Sequence, residues 1–326
     1  MLWLASVLGL VAVGGAVLVE SETPEKEESG AQNGTGEPQG DGLDGGYIEP
    51  AGDTVAGTED ADVIAGSGAA DSLNGGGGND QIGGYGGDDW LEGGPGADVL
   101  HGDAGDDNLS GGDGLDELHG EDGADWLEGG VGDDSLFGHF GDDSLYGGAD
   151  ADVLHGGQDQ DWLEGGDGGD SLHGNDGDDS LTGGSGEDAL FGGYGDDAVS
   201  GAGDSSERDY VNGGDGNDTL IAGAGDVLTG GNGEDQFMAG FWTGTAAAVQ
   251  LMDYNAGEDQ LVLVWDFEGG QEPSVEVQAN PEAEDEQLIL VDGEPALRLS
   301  GAEELTASDL VLIDTASAAQ TGLLPQ

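Results

Sequence analysis

The 326-residue chain contains no cysteine, which excludes disulfide cross-links and thiolate metal sites alike. It is nearly as poor in positive charge. Lys26, Arg208 and Arg298 stand against 72 Asp and Glu, for a formal net charge of −69. Nucleic acid is therefore excluded as a partner, because binding phosphates needs clustered Lys and Arg. Docking on anionic lipid headgroups is disfavoured for the same reason. Catalytic signatures are missing too: the chain has no HExxH zinc motif and no GxSxG nucleophile elbow. Residues 20–56 are too few and too polar for a catalytic domain, and every histidine falls inside a repeat. The sequence is accordingly not read as an enzyme. What such a surface attracts is cations.

What the chain has in abundance is glycine, 71 residues of it, and the glycines keep a beat. From Gly57 to Ser200 the sequence divides without a slip into 16 nonapeptides, each with Gly at position 1, Asp at position 6 and Leu, Ile or Val at position 8. Beyond Ser200 the units loosen to 12, 9, 8 and 9 residues, ending at Met238, with Arg208 in the three-residue insertion. A disordered acidic tail or a low-complexity linker would not keep this spacing. Position 2 is Gly in seven alternate units, from Gly76 to Gly184, and is mostly another residue in the units between (Ser67, Tyr85, Asp103, Glu121, His139, Asn175). The structural period is therefore 18, two inequivalent nonapeptides per coil.

This pattern resembles the calcium-binding nonapeptide GGxGxDxUx of the RTX (repeats-in-toxin) family, over about 180 residues. The resemblance implies a parallel β-roll in which the first six residues of each unit turn and bind calcium and the last three form a short strand. The residues agree: glycine supplies left-handed turns without a Cβ penalty, and the final triplet alternates out, in, out. The expected fold is all-β, a parallel β-roll solenoid with 18 residues per coil, a small C-terminal β capping domain and an N-terminal hydrophobic helix. By the same resemblance multiple Ca²⁺ ions sit between turns of adjacent coils, held by turn carbonyls and position-6 aspartates. On one edge these are Asp62, Asp80, Asp98, Asp116, Asp134, Asp152, Asp170, Asp188, Asp209 and Asp226. On the other they are Asp71, Asp89, Asp107, Asp125, Asp143, Asp161, Asp179, Asp197, Asp218 and Asp235. Asp60, Ala69, Asp150 and Asp159 replace Gly at position 4, which puts the turn there in question.

Stacked coils lie ~4.8 Å apart, so each edge becomes a column of carboxylates. Neighbours at that spacing repel by about 0.9 kcal/mol even at the dielectric of water. Over the strict block the sum is on the order of 12 kcal/mol, comparable with the whole stability of a domain, roughly 5–15 kcal/mol. One aliphatic side chain per nonapeptide is a thin core to set against that. The roll is expected not to close without a cation, and oxygen ligands in adjustable glycine turns suit calcium better than magnesium or zinc. Calcium binding is then folding free energy.

Outside residues 57–238 three segments are distinguished. Met1–Val19 is uncharged and apolar, near the roughly 20 residues that span a bilayer. It lacks both a basic n-region and an obvious cleavage site, and both an uncleaved membrane anchor and a cleaved signal stand as readings. Residues 20–56 read as an acidic disordered linker. Residues 239–326 carry alternating apolar segments (Ala247–Met252, Gln260–Trp265, Ser274–Val277, Gln287–Val291, Leu310–Ile313) and an Asp292-Gly293 hairpin signal. They read as a small β domain covering the open end of the roll. The resemblance implies a type I secretion signal in such a C-terminal segment, and hence the type I secretion machinery as a partner. The tail from Thr315 to Gln326 is compatible with it.

Two surface series remain. His101, His119, His155 and His173 all occupy position 9 on one face, interrupted by Phe137. They read as solvated cross-strand neighbours, with a transition-metal site as the alternative. Trp90, Trp126 and Trp162 recur every 36 residues at position 7 of the other face. Whole-coil duplication accounts for the beat, since ADVLHG also recurs at Ala97–Gly102 and Ala151–Gly156. The sequence reads as a calcium-binding structural or interaction protein, exported or at the surface of a bacterium. Adhesion through the Trp or His faces and an accessory part of a secreted RTX enzyme are the alternatives. An ice-binding threonine array is absent, Thr182 being the lone Thr at positions 7 and 9 of the strict block.

Overall fold

A computed structural model describes residues 47–48, 54–202, 207–240, 247–265, 273–283, 285–300 and 305–314. The segment 1–19, the linker up to residue 46 and the tail 315–326 lie outside the described residues, so the expected N-terminal helix and secretion signal do too.

Among the described residues every element is a β-strand, and successive strands go alternately to two sheets until Val275–Ala279, Glu286–Val291 and Glu294–Ser300, which all join one sheet. Within each sheet, through the repeats, neighbours are parallel and a residue pairs with the one 18 positions on, as Leu127 does with Leu109 and Leu145. The register follows from the fixed period: any strand displaced by one residue would turn its position-8 side chain outward. Instead that ladder is sealed, from Ile64 at 1% exposure through Leu100, Leu127 and Leu154 at 0%. The ladders of the two sheets meet in one core cluster.

The strands are twice as long as the sequence suggests. Trp126–Val131 is typical: it spans positions 7 to 9 and continues through positions 1 to 3. Pairing skips position 1 but resumes at Gly130↔Gly148 and Val131↔Ala149. Position 2 bends the chain there. Gly130 sits at φ 116°, and in the interleaved units Tyr85, Asp103, Glu121, His139 and Asn175 hold φ between 71° and 82°, although none is glycine. The same holds at two substituted turns. Asp150 and Asp159 keep the left-handed conformation (φ 79° and 75°) of the glycines they replace, as a short polar side chain can.

The roll begins within the segment read as linker: Thr54–Thr58 pairs in parallel with Ser72–Gly76, so residues 54–56 belong to the first strand of its sheet confirmed on both sides of Gly57. After Ser200 the register absorbs the irregular units by pairing Ala189 with Tyr210 and Tyr210 with Val227. The strands beyond Met238 add to the same two sheets. Val249–Leu251 and Gln260–Trp265 continue the parallel order. Glu294–Ser300, which the sequence did not single out as a strand, pairs in parallel with Val249–Leu251 and antiparallel with Glu286–Val291. The turn between the last two is Asp292-Gly293, both at positive φ (51° and 86°), as a tight primed hairpin turn requires. Among the described residues no helix is long and apolar enough to cross a membrane.

Candidate metal centre

Each position-6 aspartate stands just ahead of a core strand, and the strand fixes it. Its backbone carbonyl accepts a hydrogen bond from position 7 of the next coil, as Asp107 does from the Trp126 amide at 2.9 Å. The twenty aspartates named from the sequence are brought together as two columns, each residue at most 5% exposed. Within a column the side chains interlock in one direction. The backbone N–H of Asp107 donates to Oδ1 of Asp125 at 2.8 Å, and that of Asp125 donates to Oδ1 of Asp143 at 2.8 Å. The loosened units keep the chain intact, from Asp188 to Asp209 and from Asp218 to Asp235.

One oxygen of each interlocked residue is thus satisfied. Along the middle of both columns the other is not. Oδ2 of Asp89, Asp107, Asp125, Asp143 and Asp161 on one edge, and of Asp80, Asp98, Asp116, Asp134 and Asp152 on the other, is buried with no hydrogen-bond partner. An unpartnered buried carboxylate oxygen is costly unless a cation faces it. The position-1 glycines show where that cation fits. A Cβ on Gly129 would lie 2.6 Å from Oδ2 of Asp134 and 2.7 Å from the carbonyl oxygen of Gly147 in the next coil. Gly111 repeats this at 2.6 Å from Asp116 and 2.8 Å from the Gly129 carbonyl. An oxygen-lined space therefore lies between coils, open because position 1 has no side chain. Carboxylate and carbonyl oxygens without nitrogen or sulfur are a hard-cation donor set, and they fit calcium.

The edges of the columns differ. Asp62 and Asp71, in the first coil, have Oδ2 occupied by protein donors: the Thr58 amide and hydroxyl (2.6 and 2.9 Å) and the Ser67 amide and hydroxyl (2.7 and 2.9 Å). Oδ2 of Asp226 takes the Gly223 amide at 2.6 Å. At the far end the structure adds residues the sequence reading missed. Oδ1 of Asp259 accepts from the Asp235 amide at 3.2 Å, extending one column by a coil. Asp253 accepts from the amides of Gly230 and Gly231 at 3.0 and 2.9 Å. Asp259 was detectable, since Asp-Gln-Leu-Val repeats the position 6-to-9 pattern, but no glycine frame precedes it. Asp253 had no such signal.

Burial shifts many of the column carboxyls toward their protonated form relative to a free aspartate. Burial, against the lowering by the neighbouring backbone N–H and reinforced by adjacent carboxylates, pushes Asp125, Asp143, Asp152 and Asp218 up to about 7 and Asp161 to about 8. Asp98, Asp116 and Asp179 rise for the same first reason to about 6. A divalent cation in the oxygen cradle reverses that preference.

Interlocked aspartates, bare position-1 glycines and an 18-residue coil recur together, and the comparison with known families agrees. The RTX calcium-binding nonapeptide repeat matches in nine contiguous or overlapping stretches that together run from residue 50 to residue 241. The chain belongs to this family. Calcium binding through an RTX β-roll follows for the matched region. Among curated proteins none matches. Among solved structures, the extracellular lipase LipA from Serratia marcescens is similar at 17% identity, covering 58% of this chain and 42% of that one, with a TM-score of 0.23. The match thus spans less than half of that lipase.

The surface series are also resolved into contacts. On one sheet His101, His119, Phe137, His155, His173 and Phe191 stack continuously, with centroids 4.6 to 5.3 Å apart. Burial lowers the pKa of His101, His155 and His173, and a neighbouring histidine adds to the effect at the first two. On the other sheet Tyr146 inserts between Trp126 and Trp162, at 4.2 and 4.6 Å.

Proposed function

We propose that the chain is an exported or surface-held structural protein whose roll folds when calcium fills the two aspartate columns, and that it is not itself an enzyme. The observation that carries this is the buried, unpartnered Oδ2 repeated along both columns. In this reading many ions bind, each between Oδ2 of one position-6 aspartate and the position-1 carbonyl of the next coil. The position-6 aspartates from Asp62 to Asp235 are the ligands, and those whose Oδ2 is met by protein donors, Asp62, Asp71 and Asp226, hold their ions less tightly than the residues between. A chain made where calcium is scarce stays unfolded, as passage through a narrow exporter such as a type I system requires, and folds on arrival outside. Residues 1–19 then serve as anchor or signal. Residues 239–326 form the capping end of the roll.

Circular dichroism of the full chain during a calcium titration tests this, with magnesium at equal concentration as the comparison. The expected result is a steep gain of strand signal at about 10⁻⁴–10⁻³ M calcium, the range of extracellular modules. Full strand signal already present in chelator, or produced equally by magnesium, would overturn it.

The exposed row of Trp90, Trp126 and Trp162 (56%, 40% and 36%) favours a second reading, adhesion of the folded roll through its aromatic face.

A further inference from the structure

Three consecutive strands, Val99–Ala104, Glu117–Asp122 and Ser135–Phe140, bring nitrogen ligands together on an outer face, away from the aspartate columns. His101 and His119 come from position 9. Glu121 and His139 come from position 2, where both are held at left-handed φ (80° and 82°). That conformation, where glycine would be free of strain, places the position-2 side chains beside the position-9 ladder. Nδ1 of His119 lies 3.0 Å from Nε2 of His139. Oε1 of Glu121 is 3.9 Å from Nδ1 of His101 and 3.9 Å from Nε2 of His139. Ligand atoms of His101, His119 and Glu121 all fall within 4.8 Å of one another.

We propose that His101, His119, His139 and Glu121 form a tetrahedral site for a borderline transition-metal dication of the zinc or copper class, separate from the calcium columns. Tetrahedral nitrogen and oxygen ligands at 2.0–2.1 Å from a metal stand about 3.3 Å apart; three of the pairs here are at 3.0, 3.9 and 3.9 Å, and His101, stacked on His119 with the rings 7° from parallel, turns out of the stack to bring its nitrogen to the same metal. A second group orients the set. Nε2 of His119 is 3.0 Å from Oε1 of Glu117, and a carboxylate there can accept only from Nε2–H. In the neutral ring Nδ1 of His119 is then the unprotonated nitrogen, its lone pair aimed at His139, in the carboxylate–histidine–metal arrangement that fixes a tautomer. His139 now donates from Nε2 to that lone pair; metal binding moves its proton to Nδ1, and no proton is released. The three imidazoles discriminate the site from calcium, which takes oxygen ligands, and the metal ties three successive coils together.

The test titrates zinc into the calcium-loaded full chain by calorimetry and records the copper-loaded chain by electron paramagnetic resonance. His119→Phe combined with His139→Asn removes two ligands. Phe preserves the stack, as Phe137 does in the next coil, and Asn tolerates left-handed φ. His155→Phe lies outside the site and serves as control. The expected result is one zinc equivalent bound by the wild type and the control, weakened more than about tenfold in the double variant. Copper should show nitrogen hyperfine coupling that the double variant loses. Strand content by circular dichroism, matched among the three chains, separates loss of the site from loss of the roll. Zinc binding unchanged in the double variant, or copper with oxygen ligands alone in the wild type, would overturn the proposal.

Discussion

At Asp125 a single side chain holds two roles that chemistry can separate. Oδ1 accepts from the Asp107 amide, while Oδ2 is buried and unpartnered. Asp125→Asn keeps the shape and the Oδ1 acceptor but replaces Oδ2 with an amide nitrogen that cannot ligate calcium. It also removes a charge whose burial is unfavourable, as the carboxyl pushed up to about 7 reports. The substitution is therefore expected to move two observables in opposite directions. The calcium concentration at half-folding should rise, while strand content in chelator should stay level or increase. Thermal melting with and without calcium checks both. A variant destabilised equally in the two conditions would mean that Oδ2 has no part in cation binding.

The column is the smallest element with a pH response of its own. Its aspartates titrate near 3.9 in an unfolded chain but at about 6 in Asp98 and Asp116, about 7 in Asp143 and Asp152, and about 8 in Asp161 once buried together. Folding raises these values, so the folded state binds more protons than the unfolded one. The contribution of protonation to stability is present in full below the unfolded value and is lost as pH rises through 6 to 8. Without calcium, the roll should gain strand signal on acidification from about pH 8 to about pH 5. Calcium needs the ionised form and competes with those protons, so the stability that calcium adds should shrink over the same descent. Thermal melting with and without calcium at pH 8, 7 and 6 reads that difference directly. A calcium-induced rise in melting temperature that grows on acidification would contradict the column as the calcium site.

For the molecule as a whole, a stack of like coils has the problem of its last one. Here the same core cluster continues past the repeats: Val249, Leu251, Leu261, Leu297 and Leu299 are buried at 0% or 1% exposure, and Tyr254 packs edge-on to Phe237 at 5.9 Å. Terminal repeats of a solenoid need such a cover. A chain ending after Met238 would leave Phe237 and Leu228 at an open edge, and burying a side chain of that size contributes about 1.5–3 kcal/mol. The truncated chain should need more calcium to fold, melt lower in saturating calcium and bind a hydrophobic dye. Melting and dye fluorescence identical to those of the full chain would show that residues 239–326 do not cap the roll.

The repeat alone determined the coil length, the two aliphatic ladders and the two aspartate columns. Each of these joins residues a whole period apart, so Leu109, Leu127 and Leu145 could be placed side by side by counting. What only the tertiary structure decided lies between periods. The six-residue strands depend on position 2 turning left-handed at Glu121 and His139 as readily as at Gly130, a conformation their side chains do not announce. Asp259 enters its column 24 residues after Asp235, and Asp253 reaches Gly231 across 22. His119 meets His139, and His101 meets Glu121, across 20 residues. No multiple of 9 or 18 gives those separations. The aspartate separations arise where the chain after Met238 drops the nonapeptide, and the histidine contacts arise because stacking sets position 9 of one coil beside position 2 of the next; adjacency across a stack is a property of the folded surface.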